Sequence, residues 1–536
     1  MRRFALAVTL ACLTALPAWA QPQARIAQGT LSGASDGAIS TFKGIPFAAP
    51  PVGPLRWRAP QAAPGWHGVR DASAFEPVCP QPNLPGRVQL PQSEDCLTLN
   101  VWTPNSAPGA KLPVMVWIYG GSFVIGGSAS PIYDGVELAE RGVVVVTLNY
   151  RLGWLGFFDH PALAAANPGE PTGNFGLLDQ IAALNWVQKN IAAFGGDPSN
   201  VTIFGESAGG MSVNDLTASP LARGLFAKAI SESGLGLWTI GTSAQAQQNS
   251  VAFAALENAA AASSDALAKL RGLGVDAILA DEAKMQPIQP APFVDGTVLT
   301  DQPAALFAQG KMAHVPYLAG SNSDEATLMK AIHMSNDDML KPFGDALPDV
   351  RKVYEADGKL TNDQFARQVF ADALFASGAQ GLATFETKFG QPAYVYHFDY
   401  VYDALRMFSS GVGHGGEIPF VFGFTGLSRD PNFAAKIKFA TDKDKSIATM
   451  MEGYWTNFAK TGNPNGAGLP QWSPTSAAAP ETLVVDDTTK TVEGFRKPQL
   501  AIIYAGWSKR TGLPVPLAAT IKPRDAQSSA NTSVLR

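Results

Sequence analysis

Apolar residues change their period several times along this chain. In the first hundred residues short alternating stretches, "ARIAQGTLSG" (24–33), "AISTFKGIPFA" (38–48) and "LTLNVWTP" (97–104), are separated by turn residues and predict strands. Two nearly continuous apolar runs follow, "LPVMVWIY" (112–119) and "GVVVVTLNY" (142–150). The second is Val-rich, as expected of a strand buried on both faces. From Gly176 the period becomes helical: Leu177, Ile181, Leu184, Val187, Ile191 and Phe194 predict an amphipathic helix packed on a sheet. "FGGDPSN" (194–200) predicts a turn, and Val201 to Phe204 a strand running into "GESAGG". "AISES" (229–233) and "VPYLAG" (315–320) predict further strands.

Strands alternating with helices predict one α/β domain over residues 21–515, its sheet parallel at the centre. Residues 241–285 and 361–388 have helical patterns and are expected to be excursions covering a cleft. Residues 516–536 form a polar tail.

The first twenty residues stand apart. Arg2 and Arg3, an apolar run and the small-x-small end Ala18-Trp19-Ala20 predict a secretory signal cleaved after Ala20. The run is too short for a comfortable membrane span. A lipoprotein site at Cys12 is a weaker alternative, because Thr9-Leu10-Ala11 is a poor lead-in. A secreted or periplasmic location follows, without a stable membrane anchor. Formal net charge is −5, or −7 once the two arginines leave with the signal. With no basic tract, nucleic acid is not expected as a partner. Cys79 and Cys96 then remain as an even pair in an oxidising compartment and predict one disulfide, with two free thiols as the alternative. A zinc site is not expected, since no His or further Cys lies at ligand spacing.

Candidate chemistry centres on Gly205-Glu206-Ser207-Ala208-Gly209, the one strict G-x-S-x-G in the sequence. Between a strand and a helix, small neighbours let a serine sit on a sharp turn, its Oγ exposed beside a helix N-terminus where the Ala208 N–H can face an oxyanion. Gly120-Gly121-Ser122-Phe123, after the 112–119 strand, could add backbone donors; an ordinary turn is the plainer reading of that loop alone. Of six histidines, His397 lies in a strand pattern, whereas His414 lies in "GVGHGGE", a loop able to present its ring. "GSNSDE" (320–325) follows a strand and supplies an acid, Asp324 or Glu325; the residues alone leave both open. Serine, acid, histidine is a hydrolase chain order.

"EDCLTLNVW", "WIYGGSF", "GNFGLLDQIAALNWVQKNIAAFGGDPSNVTIFGESAGG", "GSNSDEA", "GVGHGGEIPFVFG" and "YWTNFAKTGNPN" together resemble the type-B carboxylesterases, over roughly residues 25–505. That group includes para-nitrobenzyl esterases, animal carboxylesterases and cholinesterases. The resemblance implies an α/β-hydrolase fold and a small-molecule ester substrate. It implies Ser207 as nucleophile, Glu325 as acid and His414 as base, without a metal or organic cofactor. It also implies an oxyanion hole from the N–H groups of Gly121, Ser122 and Ala208, supporting roles for Glu206 and Ser233, and pairing of Cys96 with Cys79. Phe123 and Trp238 are expected to line an acyl pocket or, more plainly, the core.

Two departures shape the expectation. Many relatives have glycine where this chain has Ser122. The loop "PQPNLPGRVQLPQSED" has no aromatic residue, and the wall position three residues past the acid is Leu328. A quaternary ammonium needs aromatic faces, so choline esters are not expected as preferred substrates. Two alternatives remain: the same residues acting on amide, carbamate or thioester bonds, and a non-catalytic binding module. Inactive relatives typically lack the serine, which is present here.

Overall fold

The computed structural model describes residues 21–83, 89–409, 411–424 and 440–517. The predicted signal, part of the Pro- and Gln-rich loop and all but the first residues of the polar tail lie outside the described residues.

The continuous apolar runs build an eleven-stranded sheet. Its strands are β1 (Ala34–Ser35), β2 (Ser40–Pro46), β3 (Thr98–Thr103), β4 (Leu112–Ile118), β5 (Val144–Leu148), β6 (Gly196–Glu206), β7 (Lys228–Glu232), β8 (Tyr317–Asn322), β9 (Ala393–Phe398), β10 (Glu481–Val485) and β11 (Lys490–Glu493). Across the sheet the order is β11-β10-β9-β8-β7-β6-β4-β5-β3-β2-β1. From β10 to β5 neighbouring strands are parallel, and both flanks are antiparallel. β5 and β7 are buried at every position, as strands covered on both faces must be. This is the α/β-hydrolase architecture expected from the sequence.

Register places the site. Ile118 of β4 pairs with Gly205 of β6, Glu232 of β7 pairs with Glu206, and Gly320 of β8 pairs with Glu232. The carboxyl ends of four parallel strands therefore come level. Gly120, Ser207, Ser233 and Glu325 all follow those ends within a few residues, where open α/β sheets carry ligands.

The helices used below are α1 (Phe175–Asn190), α2 (Ala208–Ala218), α3 (Ser243–Ala255), α4 (Ser264–Arg271), α5 (Val275–Lys284), α6 (Asn362–Phe370), α7 (Ser377–Lys388) and α8 (Asp442–Thr461). Three expectations are corrected. First, the solvent-facing side of α1 is narrow: Lys189 is exposed, Ala182, Asn185 and Gln188 are half-buried, and the helix ends before Ile191. Two of its polar residues are buried instead: Asp179 receives two hydrogen bonds from the Arg151 guanidinium (2.8 and 2.7 Å), and Gln180 donates to Ser212 (3.0 Å). Second, "FGGDPSN" is mostly a bulge inside β6. Pairing with β4 jumps from Leu112–Gly196 to Val114–Val201, and Asp197 accepts the Ser199 N–H at 2.9 Å across the excursion. Third, α7 is not part of a covering excursion; it packs on β8 and β9.

α3, α4, α5 and α6 do lie outside the sheet. Around α6 a satellite apolar cluster forms, including Met329, Tyr354, Phe365, Phe370 and Phe375, distinct from the main core. Arg56 ties the opposite wall together. Its guanidinium meets Glu94 at 2.8 and 2.5 Å and donates to the carbonyls of Arg271 (3.1 Å) and Leu273 (2.7 Å) beyond α4.

Glu94 lies two residues before Cys96, which is bonded to Cys79 across a separation of 17 residues. Closing a loop of that length lowers unfolded-state entropy by the equivalent of about 3 kcal/mol. Replacing both cysteines by alanine should lower the midpoint of chemical unfolding accordingly. An unchanged midpoint in oxidised protein would show that the bond contributes nothing to stability.

Candidate active site

Ser207 sits at the β6–α2 junction with φ 57° and ψ −122°, a conformation L-residues rarely hold. Its surroundings enforce this. Ser207 N–H donates to the Glu232 carbonyl (2.9 Å) at the end of β7, and its own carbonyl accepts from Met211 (2.8 Å) in the first turn of α2. The flanking glycines are required by space. A Cβ on Gly205 would lie 2.5 Å from the Ile118 carbonyl oxygen, and one on Gly210 2.6 Å from the Glu232 carbonyl oxygen. A Cβ on Gly209 would run into the Ile118 carbonyl itself. The elbow is wedged against two strand ends.

Strand ends and loops bring three more predicted residues to Ser207. His414 Nε2 lies 2.8 Å from Ser207 Oγ, and His414 Nδ1 lies 2.6 Å from Glu325 Oε2. The other oxygen of Glu325 accepts from Ser233 Oγ (2.6 Å) and from the Asn322 backbone N–H (2.7 Å). Glu325 is fully buried, and these donors offset the cost of burying its carboxylate. The geometry separates the two acids left open by the residues: Glu325 faces the imidazole, whereas Asp324 turns away to Arg367. His397 lies elsewhere, on β9 against Phe495, and burial pushes it down to about 3.

Glu206 Oε1 lies 3.3 Å from His414 Nε2. Glu417, buried three residues past the histidine, accepts from Asn322 Nδ2 at 2.5 Å, and Glu232 accepts from Trp455 Nε1 at 2.8 Å. Carboxylates thus surround one imidazole. Burial works to lower the His414 pKa, but Glu206, Glu325 and Glu417 outweigh it and lift the ring to about 9. Burial, then the charges of Glu206 and Glu325, lift Glu417 to about 8. Burial and the Glu417 charge raise Glu232 well above the carboxylate range. Glu417 therefore keeps its proton at neutral pH, where its charge is absent from the ring. Without that charge the upward push on His414 is smaller than the one that lifts it to about 9.

The second glycine loop abuts the elbow: a Cβ on Gly120 would lie 3.0 Å from Ser207 Cβ. Gly121 has φ 120°, Ser122 φ 56° and Phe123 φ 61°. Ser122 thus keeps the left-handed backbone that glycine would take, at a cost of about 1 kcal/mol. Its side chain is exposed. Among the described residues, the N–H groups of Gly121, Ser122 and Ala208 donate to no other part of the protein. Phe123 itself is core, edge-on to Phe157 with ring centroids 5.3 Å apart. Leu328 packs against the satellite cluster, and Trp238 is 47 % exposed rather than core.

Sequence reasoning missed Asn322, Arg367, Phe375 and Glu417. Asn322 and Glu417 stand inside the quoted motifs, where nothing in residue type or spacing marks them beside the acid and the histidine. Phe375, 5.2 Å from the His414 ring between centroids, is in a π-helical turn (Ala371–Ala376). Neither its period nor its neighbours set it apart from the helical pattern around it.

Comparison with known proteins places relatives along most of the chain. The sequence profile described as "Carboxylesterase family" matches residues 20–503. A fumonisin B1 esterase of Sphingopyxis macrogoltabida is 37 % identical over 471 residues, covering 86 % of this chain and 86 % of that protein. A para-nitrobenzyl esterase of Bacillus subtilis (strain 168) is 38 % identical over 479 residues, covering 85 % of this chain and 93 % of that protein. Among solved structures, a carboxylesterase of Geobacillus stearothermophilus superimposes with TM-score 0.78 at 32 % identity, covering 90 % of this chain and 99 % of its own.

The wedge at the elbow yields a direct test. Gly209→Ala places a methyl group against the Ile118 backbone, which cannot retreat without breaking β4–β6 pairing. The variant should lose labelling of Ser207 by a fluorophosphonate and about 2 kcal/mol or more of stability. Labelling at the parent rate would mean that the elbow has room to spare.

Proposed function

The chain belongs to the carboxylesterase family, and from that premise we propose how its residues hydrolyse carboxylic esters. Ser207 Oγ attacks the ester carbonyl while His414 Nε2 takes its proton. The bond from His414 Nδ1 to Glu325 holds the tautomer and stabilises the imidazolium. The carbonyl oxygen, now negative, lies against the N–H groups of Gly121, Ser122 and Ala208. Collapse of the tetrahedral adduct breaks the bond to the leaving alcohol, which receives its proton from His414. Water, deprotonated by the same ring, then attacks the acyl-enzyme and frees the acid and Ser207.

One observation carries this reading: an unbroken Ser207–His414–Glu325 chain of 2.8 and 2.6 Å contacts that begins on a strained elbow. Glu206 and Ser233 act on the ring and on the acid that orients it. Fumonisin B1 and para-nitrobenzyl esters, named for two relatives, are different chemistries. The family therefore leaves the alcohol side open. The leader at residues 1–20 and the Cys79–Cys96 bond support export as one mature domain. Among the described residues no helix is long and apolar enough to cross a membrane.

Ser207→Ala should lower ester hydrolysis by roughly 10⁴-fold or more, with the fluorophosphonate adduct lost from the intact-protein mass. Hydrolysis near the parent rate in the purified variant would refute the mechanism. A matched panel separates the alternatives: amides, thioesters and a choline ester are each expected to turn over more slowly than an uncharged ester.

The carboxylates around the base set the pH dependence. Hydrolysis needs neutral His414, so raising its pKa moves the acid limb of kcat/KM to higher pH. The midpoint is expected above 6.5 and below 9. Glu206→Gln removes the charge nearest the ring after Glu325, and the limb should move toward acid. A midpoint at or below 6.5 in the parent would show that the ring does not feel these charges.

A further inference from the structure

Asp324 precedes the catalytic acid, and its carboxylate does not face the histidine. Both of its oxygens lie 2.5 Å from Arg367 Nη2. Arg367 is on α6, in the covering layer rather than the sheet. Nothing in the hydrolytic mechanism uses this pair.

The backbone of Asp324 has a second set of contacts. Its N–H donates to the Val412 carbonyl (2.8 Å), and it forms an isolated bridge with Gly413. The Val412 N–H donates to Ser323 Oγ (2.9 Å), and the His414 N–H to Thr327 Oγ1 (2.9 Å). Asn322 Nδ2 reaches the Gly413 carbonyl (3.2 Å). The loop of the acid and the loop of the base are thus zipped into one unit, and Asp324 lies at the seam. Beyond Arg367 the same helical run turns π-helical and brings Phe375 against the His414 ring. Asp372 in that turn is fixed from behind by Tyr354 (2.7 Å) and Arg496 (2.6 Å).

We propose that Arg367 is a positioning residue for hydrolysis: by clamping Asp324 it holds the acid–base loop unit under the covering helix and neutralises the acidic charge beside Glu325. The proposal rests on the assignment of Ser207, His414 and Glu325 above. The groups facing His414 are Glu206 from the end of β6, Glu325 from the loop after β8 and Glu417 from its own loop. Glu232 of β7 lies near Glu417 and Glu206, and Tyr396 of β9 lies near all four acids. All of these acids push the same way. An unpaired Asp324 adds to that field, and Arg367 cancels it.

The clamp has a signature that mere packing lacks. Removing the arginine exposes a negative charge and favours the imidazolium; removing the carboxylate exposes a positive charge and disfavours it. Charges on the order of 10 Å apart in a partly solvated site move a pKa by about half a unit. Arg367→Met should therefore shift the acid limb of kcat/KM up by about half a pH unit, and Asp324→Asn should shift it down. The double variant should return it to the parent position, and Arg367→Lys should leave it there. In Arg367→Met, kcat should fall several-fold with little change in KM.

Rates are taken per site titrated by a fluorophosphonate, so misfolded protein is not counted. Should Arg367→Met not accumulate folded, Arg367→Lys and Asp324→Asn suffice: an unmoved limb in the first and a lowered limb in the second support the clamp. Limbs that stay in place, or move the same way in Arg367→Met and Asp324→Asn, overturn it. Ser207→Ala in the same assay keeps the readings apart. Activity surviving there refutes the triad, whereas Ser207-dependent activity with unmoved limbs refutes the clamp alone.

Discussion

The level ending of β4, β6, β7 and β8 is the constraint on which the rest of this structure depends. It is set by backbone pairing of strands whose carboxyl halves are buried, where a slip would leave ladder hydrogen bonds unmade away from water. From that edge each functional loop leaves from a fixed origin. Gly205, Gly209 and Gly210 let the elbow lie directly against neighbouring strand ends, and this closeness forces Ser207 into its unusual backbone. The strain is maintained by sheet pairing many residues away. A serine on an ordinary loop would relax.

Such an edge is a poor place for charge, yet Glu206, Glu232, Glu325 and Glu417 are all buried there. They are tolerated for different reasons. Glu325 has Ser233, Asn322 and His414 as partners. Glu417 and Glu232 are held toward their protonated forms, and each still accepts a hydrogen bond, from Asn322 and from Trp455. Like charges this close cannot all ionise, so burial sorts them. The outcome is a ring with Glu325 and Glu206 against its two nitrogens and two further acids close by that are held toward their protonated forms. In the mechanism we propose, an imidazolium formed during acyl transfer is stabilised by that field, which is the moment when stabilisation accelerates the reaction.

The sheet was legible in the sequence because burial on both faces leaves long apolar runs, and the elbow because its chemistry demands small residues at fixed spacing. The same logic failed for α1. Its apolar period is real, but Asp179 and Gln180 are buried against Arg151 and Ser212 from other elements, so not every polar position means solvent. It failed for "FGGDPSN" because a bulge and a turn use the same residues. From the residues alone the acid stayed ambiguous between Asp324 and Glu325: both follow β8, and only the path of the 411–417 loop decides which one meets the ring. Arg367 and Phe375 carried no signal, since their role arises from where a covering helix comes to rest.

That last failure follows from how the site is divided. Ser207 and Ala208 follow β6 directly and Gly121 and Ser122 follow β4, two strands of the main core fixed by their pairing. Leu328, Phe375 and the helix bearing Arg367 belong to the satellite cluster, which has its own packing and no strand in it. The zipped loops of Glu325 and His414 run along the seam between the two. A seam between two separately packed bodies fixes a reacting geometry only if something crosses it. The ring contact of Phe375 crosses it by packing, which tolerates small shifts. The Arg367–Asp324 pair crosses it by a charged contact to both carboxylate oxygens, which is strict in distance and direction.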